Sequence, residues 1–121
     1  MGLALAACIA TTGCGALLLV GGAGSSAVAF ATGELSVTEE VPLRELHEAT
    51  RIAVETLRYR ETEAVLEADR IRWRATTAGG DPVDIQLLAR SPERTELRIR
   101  VGVFGSEPRS RLVLEQIRQA L

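Results

Sequence analysis

The sequence predicts an α+β domain, in which two helices cover one face of a mostly antiparallel sheet, preceded by an apolar leader. Three observations predict it. Several segments alternate apolar with polar residues, as half-buried strands do, and two others repeat apolar residues every three or four positions, as helices do. All 14 basic and 16 acidic residues lie between Glu34 and Leu121. Because an uncharged segment suits a membrane and a charged one suits water, we place the domain boundary after Gly33.

A short strand and a helix open the predicted domain. Leu35 and Val37 alternate with polar neighbours, which predicts a strand over residues 34–39. Pro42 suits the first turn of a helix, which we expect to end near Arg58. One face of this helix carries an apolar stripe that comprises Leu43, Leu46, Thr50, Ala53 and Leu57.

The remaining elements are strands and a last helix, in the overall order β-α-β-β-β-β-α. A strand is expected over residues 59–63, although residues 63–68 could equally be helical. A three-stranded antiparallel meander follows, with turns at residues 79–81 and 91–94. Its inward residues are Ile71, Trp73 and Ala75, then Val83, Ile85, Leu87 and Ala89, then Leu97, Ile99, Val101 and Val103. The buried stripe of the last helix comprises Val113, Leu114, Ile117 and Leu121.

The junction between the last strand and the last helix has the sequence Gly102-Val103-Phe104-Gly105-Ser106-Glu107. Its two glycines lack a Cβ and can adopt positive φ, and Ser106 can accept hydrogen bonds from the first amides of the helix. We expect Val103 and Phe104 to hold the helix against the sheet. Replacing Gly105 with valine should destabilise the domain by roughly 1–3 kcal/mol through backbone strain. A conservative change at Glu107 should matter little to folding.

The leader has the pattern of a bacterial lipoprotein processing site. Residues 2–10 form an apolar run, Gly13 is the small residue that a signal peptidase needs beside its cut, and Cys14 would carry the lipid. Three acyl chains on one cysteine anchor a protein stably, since each buried methylene contributes about 0.8 kcal/mol. The predicted organisation is a signal peptide at 1–13, a lipidated membrane-proximal segment at 14–33 and the α+β domain at 34–121.

The leader departs from the usual signal in two ways. Thr11 stands where a leucine is usual, and no basic residue precedes the apolar run. A start codon further upstream would supply the missing basic residues. It would also lengthen the short run before Cys8, which is the alternative lipidation site.

Two other attachments stay open. The leader could cross the membrane as one uncleaved helix, if its glycine cluster stays helical. Myristoylation of Gly2 is a weaker option, because Ala6 stands where serine or threonine is required. A free apolar tail on a cytosolic protein would expose a hydrophobic patch that soluble proteins avoid. Because Gly15, not aspartate, follows Cys14, we expect attachment to the outer membrane, with the domain facing the periplasm.

Composition excludes several classes of function. The domain has no cysteine and the chain one histidine, which argues against a disulfide framework, a zinc site and a catalytic triad. A net charge of −2 argues against a dedicated nucleic-acid binder. We interpret His47 as a solvated helix residue, Trp73 as core, and Gly79-Gly80-Asp81 as a hairpin turn, not a phosphate loop.

Arginines mark the polar face of the meander. They are Arg70, Arg72 and Arg74 on one predicted strand and Arg98 and Arg100 on another. The simpler interpretation is a solvated face on which arginines pair with Asp84 and Glu96. The sharper hypothesis is a docking face for phospholipid headgroups, an anionic cell-wall polymer or a protein partner.

Two groups of residues carry a resemblance to a known family. They are Val101-Gly102-Val103-Phe104-Gly105-Ser106-Glu107 with Ser110, Leu114 and Ile117, and Cys14 with Phe30, Thr32-Gly33-Glu34-Leu35 and Pro42-Leu43. On these residues, the stretch from Cys14 to Leu121 resembles a family of small bacterial lipoproteins, domain-of-unknown-function family thirty-five sixty-eight. The family's spacing from lipid-bearing cysteine to Gly-Glu pair favours Cys14 over Cys8. The family has no assigned activity, so the resemblance implies no catalytic residue.

These observations together predict a non-enzymatic, lipid-anchored envelope protein that acts as an accessory or interaction module. We expect no cofactor and no metal, a membrane contact through the N-terminal lipid, and an envelope protein as partner. The alternative is a periplasmic carrier that holds a small molecule or lipid between sheet and helices. An enzyme is disfavoured because the inward residues are apolar and the ionisable ones alternate outward.

Overall fold

The computed structural model describes residues 27–121. Within this range, six strands form one sheet and two helices pack on it. In chain order the elements are β1 (Ala29–Ala31), β2 (Glu34–Glu39), α1 (Leu43–Thr56), β3 (Arg60–Leu66), β4 (Arg70–Thr76), β5 (Pro82–Ser91), β6 (Arg94–Val101) and α2 (Glu107–Gln119).

The sheet has the strand order β1-β2-β6-β5-β4-β3, and every neighbouring pair is antiparallel. Helix α1 packs over β3, β5 and β6, and helix α2 packs over β2 and β6. The predicted α+β class, the meander and the two helices on one face are confirmed. Residues 63–66 belong to β3, so the helical alternative for that stretch is wrong.

Strand β1 is the element that the sequence did not predict. It has only three residues, yet it pairs with β2, and Phe30 packs against the core. The turn between the two strands consists of Thr32 and Gly33, whose φ angles are 51° and 81°. Two positive φ angles in a two-residue loop match the right-handed twist of a hairpin. The folded unit therefore extends into the stretch that was predicted to be membrane-proximal.

The core lies between the apolar face of the sheet and the two helices. Its residues without exposed surface include Leu35, Leu46, Ile85, Leu87, Leu97, Ile99, Val101, Val113 and Ile117. Trp73 is 4% exposed, which confirms its place in the core. The stripe of α1 is shifted slightly, because Ala49 and Val54 are buried whereas Leu43 and Leu57 are only partly so. Leu121 lies beyond the end of α2 and is half exposed, contrary to expectation.

The backbones of Gly33 and Gly105 touch and join the β1–β2 turn to the loop before α2. A Cβ added to Gly105 would lie 2.6 Å from the carbonyl carbon of Gly33 and closer still to its Cα and oxygen. A Cβ on Gly33 would meet the carbonyl oxygen of Phe104 and, at 2.6 Å, an Arg100 nitrogen. Both glycines also have positive φ, at 81° and 84°. Only glycine fits both the conformation and the space.

Polar contacts support this end of the domain. The Arg100 guanidinium donates a hydrogen bond of 3.0 Å to the carbonyl oxygen of Thr32. The Ser106 hydroxyl accepts from the amide of Arg109 at 3.4 Å, which confirms the predicted helix cap. Arg109 also forms a 3.0 Å ion pair with Asp81, so the start of α2 is tied to the β4–β5 hairpin.

Substitutions at Gly102 and Gly105 separate the energetic cost of a positive φ angle from that of a steric clash. Gly102 has φ 91° but nothing within 4 Å of its added Cβ. We expect Gly102→Ala to lower the free energy of unfolding by about 1–2 kcal/mol, the cost of a left-handed alanine. Gly105→Ala adds a clash with the Gly33 backbone and should cost about 3 kcal/mol or more. Thermal unfolding of the protein, followed by the near-ultraviolet circular dichroism of Trp73, measures both variants. Equal losses of stability would show that the Gly33–Gly105 contact is not required.

Candidate interaction surfaces

The face of the sheet opposite the helices, here called the open face, carries all five predicted arginines. The register places Asp84 on β5 between Arg74 on β4 and Arg100 on β6. Gln86 lies in the same way between the arginines at 72 and 98. Paired residues of an antiparallel ladder share a face, so three neighbouring strands bring the five arginines together.

Arg72 is held by Asp84 across the two strands. Its Nη2 and Nε donate to the two carboxylate oxygens at 2.7 and 3.3 Å. The hydrogen bond to Asp84, followed by its charge, raises the pKa of the Arg72 guanidinium above its ordinary value. This two-point geometry is the strongest form of an arginine–carboxylate pair. The expected pairing with Asp84 is confirmed.

Glu96 is the second acidic centre of the open face. Its carboxylate accepts a 2.9 Å hydrogen bond from Arg98 Nε and is also bound by Arg90. Burial raises the pKa of this carboxyl, but the hydrogen bonds from Arg98 and Arg90 outweigh burial, so the pKa lies below its ordinary value. Pairing with Glu96 is thus confirmed, although Arg98 is on the same strand and not across from it.

The other three arginines are engaged differently. Arg100 binds the Thr32 carbonyl. Within residues 27–121, Arg70 and Arg74 have no ion-pair partner. They line a groove of about 290 Å³ together with Glu63, Val65, Glu67, Arg72 and Gln86. Acidic residues therefore balance most of the positive charge of the groove.

Sequence reasoning missed the β3 side of this groove. Glu63 and Val65 are in register with Arg74 and Arg72, so they lie on the open face. Their alternation is the only sequence signal for this placement. This alternation was not decisive, because residues 63–68 could also have formed a helix. On a helix these two side chains would not have pointed in the same direction.

A second surface is formed by Val103 and Phe104, which were expected to pack α2 against the sheet. That expectation is wrong: their exposed fractions are 70% and 90%. Strand β6 ends at Val101, and positive φ at Gly102 and Gly105 turns the loop out of the sheet. We call the loop from Gly102 to Gly105, with the adjoining Thr32-Gly33 turn, the apolar tip.

His47 lies on α1, as predicted, but it is less solvated than was expected. It is half-buried, and its ring centroid lies 5.6 Å from that of Trp73 at an angle of 57°. The ring lines a cleft of about 630 Å³ with the first turn of α1 and Ile71. In the described part of the chain, no group of three histidine, cysteine or acidic residues is placed to hold a metal. The Gly79-Gly80-Asp81 segment is a hairpin turn, as predicted, with a 2.9 Å hydrogen bond from the Thr77 amide to the Asp81 carbonyl oxygen.

The predicted lipidation site Cys14, the alternative Cys8 and the signal peptide lie outside the described residues. Neither helix between residues 27 and 121 is long and apolar enough to cross a membrane.

Comparison with protein families adds one finding. The model of a family described as "Protein of unknown function (DUF3568)" matches residues 1–120. The chain belongs to this family. The match includes both the uncharged leader and the α+β domain, and it agrees with the resemblance that the residues around Gly33 and Gly105 suggested. A search of curated proteins found no match to this chain.

The environment of Glu96 predicts a pH-dependent stability. Because the folded-state pKa of Glu96 is lowered, its contribution is present above the unfolded-state pKa and is lost as the pH falls through the folded-state value. Glu96→Gln should therefore lower the free energy of unfolding at neutral pH, and its difference from the native protein should shrink in acid. Urea unfolding at a series of pH values measures this difference.

Glu93→Gln is the matched control, because it removes a carboxylate from the exposed β5–β6 turn. We expect it to change stability little at any pH. A Glu96→Gln difference that stays constant from neutral to acidic pH would contradict the ion-pair account of Glu96.

Proposed function

We propose that this protein is a lipid-anchored component of the bacterial cell envelope, and that its domain is a non-enzymatic interaction module that faces the periplasm. The anchor is the acylated Cys14, and the docking surface is the open face. The partner of that face is another envelope protein. The family to which the chain belongs has no described activity, so the proposal rests on the residues of this chain.

The distribution of charge supports the anchor. No charged side chain occurs before Glu34, and Cys14 follows Gly13 within that uncharged stretch. The family match begins at residue 1, so the leader lies within the region shared by the family. Fourteen residues separate Cys14 from the start of β1 at Ala29, a stretch that reaches at most about 50 Å when extended. The domain would therefore lie no further than about 50 Å from the acylated cysteine at the membrane.

The open face is the observation that carries the interaction role. Exposed ion pairs contribute only about 0–1 kcal/mol each, so stability alone does not account for five arginines on one face. Val65 is 40% exposed beside these arginines. Mixed charges with apolar groups suit a protein surface better than a polyanion, which would require a net positive field.

The carrier alternative is less favoured by the packing. A carrier of the predicted kind needs a cavity between sheet and helices, and the side chains that would line it are packed together. Leu46 of α1, Ile117 of α2, and Ile85 and Ile99 of the sheet are fully buried in one cluster. The cleft at His47 opens at the first turn of α1, away from the centre of that cluster.

Fatty-acid labelling tests the anchor. When the gene is expressed with its upstream codons in cells fed an alkyne fatty acid, the native protein should be labelled and should float with membranes. Cys14→Ser should abolish both, because the acceptor thiol is lost, whereas Cys8→Ser should retain both. Label that survives Cys14→Ser and disappears in Cys8→Ser would assign the anchor to Cys8.

Site-specific crosslinking tests the docking face. A photoreactive residue in place of Gln86, at the centre of the open face, should give an adduct with an envelope protein in living cells. The same residue at Glu55, exposed on α1, is the control and should give none. Arg70→Gln combined with Arg74→Gln should weaken the adduct. An adduct from Glu55 alone would place the interface on the helices instead.

A further inference from the structure

The apolar tip exposes two large side chains that the fold does not need. Phe104 is 90% exposed and Val103 is 70% exposed, the two highest values among the large hydrophobic residues described. Neither residue belongs to the buried core. An exposed phenylalanine with an adjacent valine at the end of a domain is a usual mark of contact with a partner or a membrane.

The backbone holds these side chains outward. Gly102 and Gly105 bracket the pair with φ angles of 91° and 84°. The amide of Gly105 donates to the Gly102 carbonyl at 3.3 Å, and that of Ser106 donates to the Val101 carbonyl at 2.9 Å, which closes the loop. Packing of the loop backbone against Gly33 prevents it from folding back over the turn. The exposure is therefore a property of the folded loop.

The tip also contains the last two residues of the uncharged stretch, Thr32 and Gly33. The leader has no charged side chain up to Gly33, and Gly33 is the residue against which Gly105 packs. Strand β1 runs toward the Thr32-Gly33 turn, so the chain enters the sheet at Ala29, about 10 Å from the turn and on the side away from the tip. The last uncharged residues before Glu34 thus form part of the tip itself.

We infer that the apolar tip inserts into the lipid surface of the membrane that anchors the protein, with Phe104 and Val103 in the region between headgroups and acyl chains. This inference rests on the proposed lipid anchor, which brings the tip to the bilayer. Phenylalanine is common among the side chains that peripheral proteins bury at the boundary between headgroups and acyl chains. The strands would then stand on the membrane with the open face directed sideways. Because the contact is apolar, it should not require anionic lipid.

A fluorescent probe at the tip tests the insertion. Phe104→Cys in the mature, lipidated protein is labelled with an environment-sensitive dye and reconstituted into phosphatidylcholine vesicles. In the proposed mature protein Cys8 has been removed and Cys14 acylated, so the introduced cysteine is the free thiol. Leu66→Cys is the matched control, because Leu66 is 60% exposed and lies at the opposite end of the sheet.

We expect dye at position 104 to shift its emission to the blue on reconstitution and to lose fluorescence to a quencher attached to the acyl chains. Dye at position 66 should do neither. If the protein is lipidated and floats with the vesicles but the dye at 104 stays unquenched, the tip contact is overturned and the anchor stands. Shielding of that dye from aqueous iodide without lipid quenching would also overturn it, in favour of a contact with the leader or with a second copy of the chain. Absence of lipid on the protein would overturn the anchor, and the tip contact with it.

Discussion

The contact between the backbones of Gly33 and Gly105 is the constraint on which the arrangement of this domain depends. It joins the first hairpin, at one edge of the sheet, to the loop that follows the last strand. Only glycine fits at either position, so the two backbones lie in direct contact. The hairpin turn therefore fixes the place of the loop that leads into α2. At the other end of α2, Arg118 binds Glu39 at 2.8 Å. The helix is thereby held at both ends across β2 and β6, and its apolar stripe meets the core.

The two faces of the sheet serve different physical purposes. The face under the helices buries branched aliphatic side chains, and each of these contributes about 1.5–3 kcal/mol when it is removed from water. The open face carries paired charges that contribute little to stability, since most of its arginines keep a third or more of their surface exposed. A surface that adds little to stability is free to be shaped by a partner. The apolar tip is at the end of the sheet and the open face is on its side, so the proposed membrane contact and the proposed protein contact would not compete.

The same glycines connect folding with exposure at the tip. Positive φ at Gly102 and Gly105 lets the chain leave β6 and start α2 within a few residues. The route that achieves this turns Val103 and Phe104 away from the core. An apolar side chain in such a loop lowers solubility without a gain in packing, which is why the loop is interpreted as a contact surface.

The periodicity of the sequence by itself determined the fold class, the bounds of β2, the meander and the burial of Trp73. The residue type at Ser106 determined the cap of α2. These features follow from local alternation and capping chemistry, which each segment carries within itself. Strand β1 was missed because three residues are too few to show a period, and it forms only because β2 offers an edge. The alternation of β6 continues through Val103, yet the chain leaves the sheet at Gly102. Only the tertiary structure decided that exit, because the space beside Gly105 is occupied by Gly33, a residue distant in the chain that no local pattern could place there.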